Sequence, residues 1–514
     1  MADPAENTKI DYTEILSRDE AMFGRRDIYT TYDYVDESNV IMAVNAAISY
    51  HLANYEEEDY LYWRRRGMSP VLVREKTRNE FICNKVIENH PDEICNFKDG
   101  FMLPQPAFCV ARNEEKQEAV NKLNEYNYRS GKNTADNKVV DWFHMVGKGV
   151  LLVQPTEDTD KPYEVFALDP RSAFVVYSMR PGNAPVMGVN MVMAEGRVRF
   201  DVFTKNAVYR ISGGEIGPMM TTIPFEQATA VYLDAVEPNW LGEVPMIEYR
   251  YNSVNMGAFE GVLTICTALD KISSNRLDGI EQFIQSLIVT YNCEFDDGVG
   301  AADIRRMGIV PLKSTADSHA DIKILSEELN QSQTQTLADH LYDQMLTICM
   351  MPSNRKGGAS TSDTGAASLY RDGWVQAETC ASNCQDLFRE SNRQFDKIVC
   401  KILKDKGLLD LEPDDFQLVF NRTEMANIQS KAQSLNTLLA SGMAPELAFA
   451  KSGVSNDPGA DVKMSEKYLK MIWGDPDKAD ELEAQAVTKE EADGEAQIID
   501  EERPTEQPES GDEV

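Results

Sequence analysis

Histidine is scarce, five in 514 residues, and cations are outnumbered, 51 Lys and Arg against 85 Asp and Glu, for a net charge of −34. So negative a chain repels phosphates, which argues against a protein that coats DNA or RNA. It does not argue against one that lets nucleic acid pass without gripping it. Long apolar runs are also missing. None approaches the ~20 residues that cross a bilayer, and the opening MADPAENTKIDYTE lacks the apolar stretch of a signal peptide. Neither secretion nor a membrane partner is expected. Nine cysteines make no CxxC pair, and their odd number suits free thiols in a reducing compartment. Cys380 and Cys384 stand four apart on an expected helix with no histidine close by. They read as buried small side chains, and no metal or cofactor is expected.

Catalytic patterns are missing too. There is no GxGxxG, no GxxxxGK[ST], no GxSxG and no HExxH. Gly147-Lys148-Gly149 sits where a helix gives way to a strand, the reverse of a phosphate loop, so its glycines are expected to serve the turn. Asp169-Pro170-Arg171 reads as a turn between strands, and His144 and His340 as packed or solvent-facing helix residues. No two carboxylates are marked by spacing as acid and base. The chain is not expected to be an enzyme.

What is present is an α+β pattern. Residues 11–62 read as mostly helical, with Ile41, Val44, Ala47 and Ile48 on one buried stripe. The acidic run Glu56, Glu57, Glu58, Asp59 and the basic run Arg64, Arg65, Arg66 flank Tyr60, Tyr62 and Trp63 and read as a solvated face. Residues 79–98 read as a helix in two pieces broken at Pro91, followed by helices over 114–129 and 134–146. From Gly149 to about residue 236, β-rich runs separated by Gly, Pro, Asn and Asp predict a meander.

A short strand (MIEYRY) then precedes a helix over 256–290, striped by Ile265, Leu269, Ile272, Arg276, Ile280, Phe283 and Leu287. Its length is roughly 50 Å. A small mixed segment follows: strand VTYNCEF, turn DDGVG, a helix over 301–307, and strands GIVPL and IKIL. A returning helix covers 327–351 with Leu337, Leu341, Met345 and Ile348. Residues 352–368 are rich in Gly, Ser and Thr and read as flexible. A very regular helix runs from Tyr370 to Ile402, with Gly373 marking a bend. Strand FQLVF, a helix over 424–441 and one or two more helices reach Trp473. Residues 475–514 hold 16 acidic and 3 basic side chains and no aromatic one, and read as a disordered tail.

Five stretches carry a family likeness. They are NKVIENHPDEICNFKDGFMLPQPA, VGKGVLLVQPTED with FALDPRSAFVVYS, VPMIEYRYNSVNMGAFEGVLTICTALDKISSNRLDGIEQF, ICMMPSNRKGGASTSDTGAASLY and GMAPELAFAKSGVSNDPGAD. In this order, over roughly residues 40–470, they resemble the portal proteins of tailed bacteriophages, the siphophage portal family. The unusual Arg355-Lys356-Gly357-Gly358 run departs from the family pattern.

The resemblance implies a portal fold. Residues 1–255 would form N-terminal helices and a β-rich wing, 256–290 a descending stem helix, 291–326 a small α/β clip and 327–351 an ascending stem helix. Residues 352–368 would be the tunnel loop, 369–422 a kinked long helix and wing return strand, 423–474 a helical crown, and 475–514 the acidic tail. It implies a ring of about twelve copies at one vertex of the virion capsid, assembled in the host cytoplasm. That ring would conduct double-stranded DNA during packaging and ejection. Partners would be the terminase large subunit, which would carry the ATP hydrolysis, a head-completion or adaptor protein, and the major capsid and scaffold proteins. A non-ring minor capsid or head-assembly protein is the alternative.

By that resemblance Arg355, Lys356, Gly357, Gly358 and Ser360 would face DNA in the tunnel loop. Lys271 and Arg276 would face the stem lumen or a neighbouring subunit, and Arg305, Arg306 and Lys313 would meet a clip partner.

Overall fold

The computed structural model describes residues 24–76, 81–194, 197–215, 228–284, 287–291, 321–325, 331–353, 373–420, 428–454 and 458–473. Strand β1 (Ile28–Thr30) precedes helix α1 (Val40–Arg65), then come α2 (His90–Met102), β2 (Phe108–Ala111), α3 (Gln117–Arg129) and α4 (Lys132–Val146). Seven strands follow: β3 (Lys148–Pro155), β4 (Tyr163–Leu168), β5 (Ala173–Ser178), β6 (Pro185–Ala194), β7 (Arg197–Thr204), β8 (Ala207–Glu215) and β9 (Ala230–Pro238). Next are β10 (Met246–Arg250), α5 (Leu263–Ile284), β11 (Leu287–Tyr291), β12 (Asp321–Leu325), α6 (Gln331–Ile348), α7 (Trp374–Asp405) and β13 (Phe416–Val419). Helices α8 (Ile428–Ala440), α9 (Pro445–Ser452) and α10 (Pro458–Trp473) close the described chain. The fold is α+β, as the sequence leads one to expect.

The strands do not make one meander. A six-stranded sheet runs β1-β5-β6-β7-β8-β9, and a separate three-stranded sheet runs β10-β3-β4. The switch falls at Asp169, whose carbonyl accepts the N–H groups of Ser172 and Ala173 at 3.0 and 2.9 Å and turns the chain from β4 into β5. Strand β1, expected as helix, pairs parallel with β5, Ile28 against Val176. On the six-stranded sheet Val198, Phe200 and Val202 of β7 alternate inward and meet Val40, Val44, Ala47 and Ile48 of α1. Burying each such side chain contributes about 1.5–3 kcal/mol. Asn45 of α1 ties the edge strand β9, giving its amide to the Ala230 carbonyl at 3.0 Å and accepting the Ala230 N–H at 2.8 Å.

Helix starts also differ from expectation. Pro91 is the second residue of α2, in its first turn, rather than a break within a helix, since its missing N–H costs nothing there. Residues 81–89 are without regular structure, and Asn89 takes a left-handed φ of 52°. Gly373 likewise caps α7 at φ 84° instead of bending it. The expected stripe of α7 is buried at Ala377, Ala381, Cys384, Phe388, Phe395, Ile398 and Ile402.

Helix α5 is shorter than the 256–290 span, 22 residues or about 33 Å. Asn252 Oδ1 accepts the N–H groups of Val254 and Met256 at 3.1 and 3.0 Å, which holds the chain in a turn, and a 3-10 turn over Glu260–Val262 intervenes. At its other end β11 begins by Leu287 and pairs antiparallel with β12. Gly147 serves the helix-to-strand turn: at φ 90°, a Cβ there would lie 2.0 Å from the Asn255 carbonyl oxygen.

These elements fall into two units. One is built from Met1–Cys109, Ala119–Pro413 and Leu418–Thr423, the other from Val110–Glu118, Asp414–Gln417 and Glu424–Val514. In the second, α8 ends before Gly442 (φ 80°) and α9 before Gly453 (φ 65°), and Asp415 accepts the Arg112 N–H at 2.8 Å. The acidic tail lies outside the described residues.

Candidate functional site

Helices α5 and α6 pack side by side, rooted at one end in a common core. Phe259, Val262, Cys266 and Leu269 meet Met345, Leu346 and Cys349 there, with Tyr60, Leu61 and Ile94 around them. Away from that root the apolar stripe is uncovered. Leu277 is 39% exposed and Ile280 45% on α5, and Leu337 is 50% exposed on α6. Of the stripe, Leu269 is buried, Ile265 and Ile272 are half-buried and Ile280 is exposed, because the outer turns are only partly covered among the described residues.

A polar strap holds α5 from the side. Acceptors at Asp270, Ser274 and Asp278 stand four residues apart, a rise of about 6 Å each. An extended chain advances about 6.7 Å per two residues. The two periods match, and the N–H groups of Glu88, Val86 and Asn84 bond Asp270 at 2.9 Å, Ser274 Oγ at 2.9 Å and Asp278 at 2.7 Å. Ser69 Oγ donates to the other Asp270 oxygen at 2.6 Å. Arg74, at 3.1 Å, and Lys76 pair with Asp278. Burial would raise the Asp278 carboxyl, but Lys76 and Asn84 outweigh it and hold it below its ordinary range.

The strap continues into a charged bridge between both helices. His90 Nε2 and Nδ1 each lie 2.8 Å from a carboxylate, of Glu88 and Glu93. Glu88 also accepts from Ser273 of α5, and Glu93 from the Tyr342 hydroxyl of α6. Burial alone would push the imidazole down; the two carboxylates override it and hold His90 up at about 9. Bonded to His90, both glutamates are held below their ordinary range.

Of the cations singled out from the sequence, Arg276 donates to Gln335 Oε1 of α6 at 2.6 Å, and Gln335 passes a bond to Asp339 at 2.7 Å. Within one chain it therefore joins the two helices. Lys271 is exposed. Arg355, Lys356, Gly357, Gly358, Ser360, Arg305, Arg306 and Lys313 lie outside the described residues.

The charge runs on α1 are not a solvated face. Glu58, Asp59 and Arg64 are buried. Arg171 bridges Asp59 and Asp169 at 2.8 Å each, with its guanidinium 3.8 Å over the Tyr62 ring. Burial raises the Asp59 carboxyl despite Arg171. Glu58 is 2% exposed, and burial pushes it well above the carboxylate range. Arg64 donates to Thr267 of α5 at 3.1 Å. Nearby, Lys148 pairs with Asp27 at 2.9 Å and Glu248 at 3.4 Å, and Arg25 with Glu260 at 2.6 Å. The signal was available: four consecutive charged residues sweep the whole circumference of a helix, so one at least must face inward.

Two cavities among the described residues hold ≈10 Å³ each, room for a water rather than a substrate. No group of His, Cys, Asp and Glu among the described residues has the arrangement of a metal site. No described helix is long and apolar enough to cross a membrane.

Two packed helices with partly exposed apolar turns, held along one side by hydrogen bonds and ion pairs, offer a surface suited to a further contact. The sequence profile described as "Phage portal protein, SPP1 Gp6-like" matches residues 43–486. The chain belongs to that family, a family of ring-forming structural proteins of the virion capsid vertex. Among solved structures, a chain titled "Neck of empty GTA particle computed with C6 symmetry" aligns at TM-score 0.40 and 11% identity, covering 71% of this chain and 90% of that one. That likeness is too distant to carry an argument. A search of the curated proteins finds no match.

Proposed function

We propose that copies of this chain, about twelve, close into a ring in which α5 and α6 wall a channel for double-stranded DNA. DNA would enter during packaging by a terminase and leave during ejection, and the segment between β11 and β12 would dock the terminase and later a head-completion protein. The observation that carries this reading is the uncovered outer half of the helix pair, with Leu277, Ile280 and Leu337 exposed where a neighbouring copy would cover them. The charge fits the task. About twelve copies at −34 sum to roughly −400, a lining that disfavours tight binding to the duplex. Arg355 and Lys356 would supply sparse cations that centre the duplex, and Gly357, Gly358 and Ser360 would face it beside them. Lys271 and Arg276 would face the lumen or the next copy, and Arg305, Arg306 and Lys313 a clip partner. Assembly in the host cytoplasm with capsid and scaffold proteins completes the proposal.

The test is nuclease-protected DNA in heads assembled with and without the chain. Heads lacking it should stay empty; heads that fill without it overturn the reading. Arg355→Ala with Lys356→Ala should reduce protected DNA if these cations centre the duplex, and unchanged packaging removes them from the mechanism.

A further inference from the structure

Lys98, on α2, is 7% exposed and makes no ion pair among the described residues. Its one hydrogen bond there goes to the sulfur of Cys380, on α7, at 3.4 Å. The ammonium also lies 5.8 Å from the Tyr251 ring centroid, and the Tyr251 hydroxyl is 3.6 Å from the same sulfur. A buried ammonium ordinarily faces a carboxylate, because an unpaired buried charge is costly. Here the group in that place is a thiol.

Cys380 is half-buried beside a cavity of ≈10 Å³ lined by Phe97, Phe101, His144 and Tyr251. That space is about that of one water, and Cys380 itself is partly exposed. An ammonium 3.4 Å from a partly exposed sulfur is the electropositive setting in which reactive cysteines are found. Six other thiols, Cys95, Cys109, Cys266, Cys349, Cys384 and Cys400, are buried. Burial pushes Cys266 and Cys349 up to about 12, and Cys95, Cys109 and Cys384 are raised by burial as well. Cys83, half-buried too, donates to the Arg74 carbonyl oxygen at 3.6 Å.

We propose that Cys380 is a peroxide-reactive thiol whose sulfenic acid is captured by Lys98, closing a covalent link between α2 and α7. The Cys380 thiolate attacks one oxygen of hydrogen peroxide, the O–O bond breaks, and hydroxide leaves; sulfur is oxidised and peroxide reduced. The Lys98 nitrogen, having given its proton to that hydroxide, then attacks the sulfenic sulfur. An S–N bond forms, the S–OH bond breaks, and with the second nitrogen proton the leaving group becomes water. The sum is thiolate, ammonium and peroxide giving a sulfenamide and two waters. The bond joins residues 282 apart in sequence, both within the first unit.

The full-length protein is treated with limiting hydrogen peroxide, digested and mapped by mass spectrometry. Expected is one joined peptide pair, Lys98 to Cys380, about 2 Da lighter than its two reduced parts and separated again by dithiothreitol. Cys380 should be consumed roughly tenfold faster than Cys83. Lys98→Arg keeps the charge but removes the amine that condenses, so it should leave a sulfenic acid at Cys380 that dimedone traps. A dimedone-reactive Cys380 with no link in the unaltered protein overturns the capture by Lys98. Oxidation of Cys380 no faster than that of Cys83 overturns the site itself.

Discussion

Asp278 of α5 accepts two hydrogen bonds from Asn84, the backbone N–H at 2.7 Å and the side-chain amide at 3.0 Å. With Arg74 and Lys76 on the same carboxylate, one side chain ends the strap that binds an irregular segment to a helix. Asp278→Ala removes acceptor and charge together and leaves two cations and an N–H without it. It should cost about 3 kcal/mol in denaturant unfolding, and Asp278→Asn, which keeps an acceptor, less. Equal and negligible costs for both would show that the strap contributes nothing to stability.

The His90 bridge gives the root of the helix pair a pH dependence. His90 is held at about 9, above the ~6.5 of an unfolded chain. Its contribution is therefore complete below about pH 6.5 and fades as pH rises through about 9. Glu88 and Glu93 are held low, so their contribution is present above about pH 4.5 and fades in acid. Stability from this bridge should be greatest between about pH 4.5 and 6.5. The parent should lose on the order of 1–2 kcal/mol relative to His90→Gln between pH 6.5 and 9, after allowance for the solvent-exposed glutamates. Thermal unfolding against pH reads this directly, and parallel curves for the two proteins would exclude it.

The exposed turns separate folding from assembly. Leu277→Asp with Ile280→Asp changes side chains that are only partly covered among the described residues, so unfolding of the monomer should shift by only about 1 kcal/mol. Ring formation, followed by sedimentation, should fall by tenfold or more, since two charges would enter an apolar contact. Assembly at the parental level would mean that neighbouring copies meet elsewhere.

Much of this architecture is legible in the sequence, for identifiable reasons. Alternation marks β7, where Val198, Phe200 and Val202 point inward, and 4,3 spacing marks α7 from Ala377 to Ile402. Period does not name a strand's partner, which is why β3 and β4 joined β10 rather than β5. The over-long α5 came from apolar spacing that outweighed a local signal, Asn252, whose side chain satisfies the N–H groups a helix would need. Arg276 stands out in the sequence as a charge in an apolar stripe, but its bond to Gln335 depends on how α6 returns. The strap of Asn84, Val86 and Glu88 on α5 joins segments about 190 residues apart and has no local signature.

In the proposed ring, α5 and α6 from neighbouring copies wall a hole. Electron microscopy of the purified, assembled protein, at a resolution that traces helices, tests it most directly. Closed rings of about twelve copies should appear, with α5 and α6 around the opening and Leu277, Ile280 and Leu337 covered by the adjacent copy. A particle that stays monomeric under every assembly condition, or a ring whose opening is walled by other elements, would contradict it.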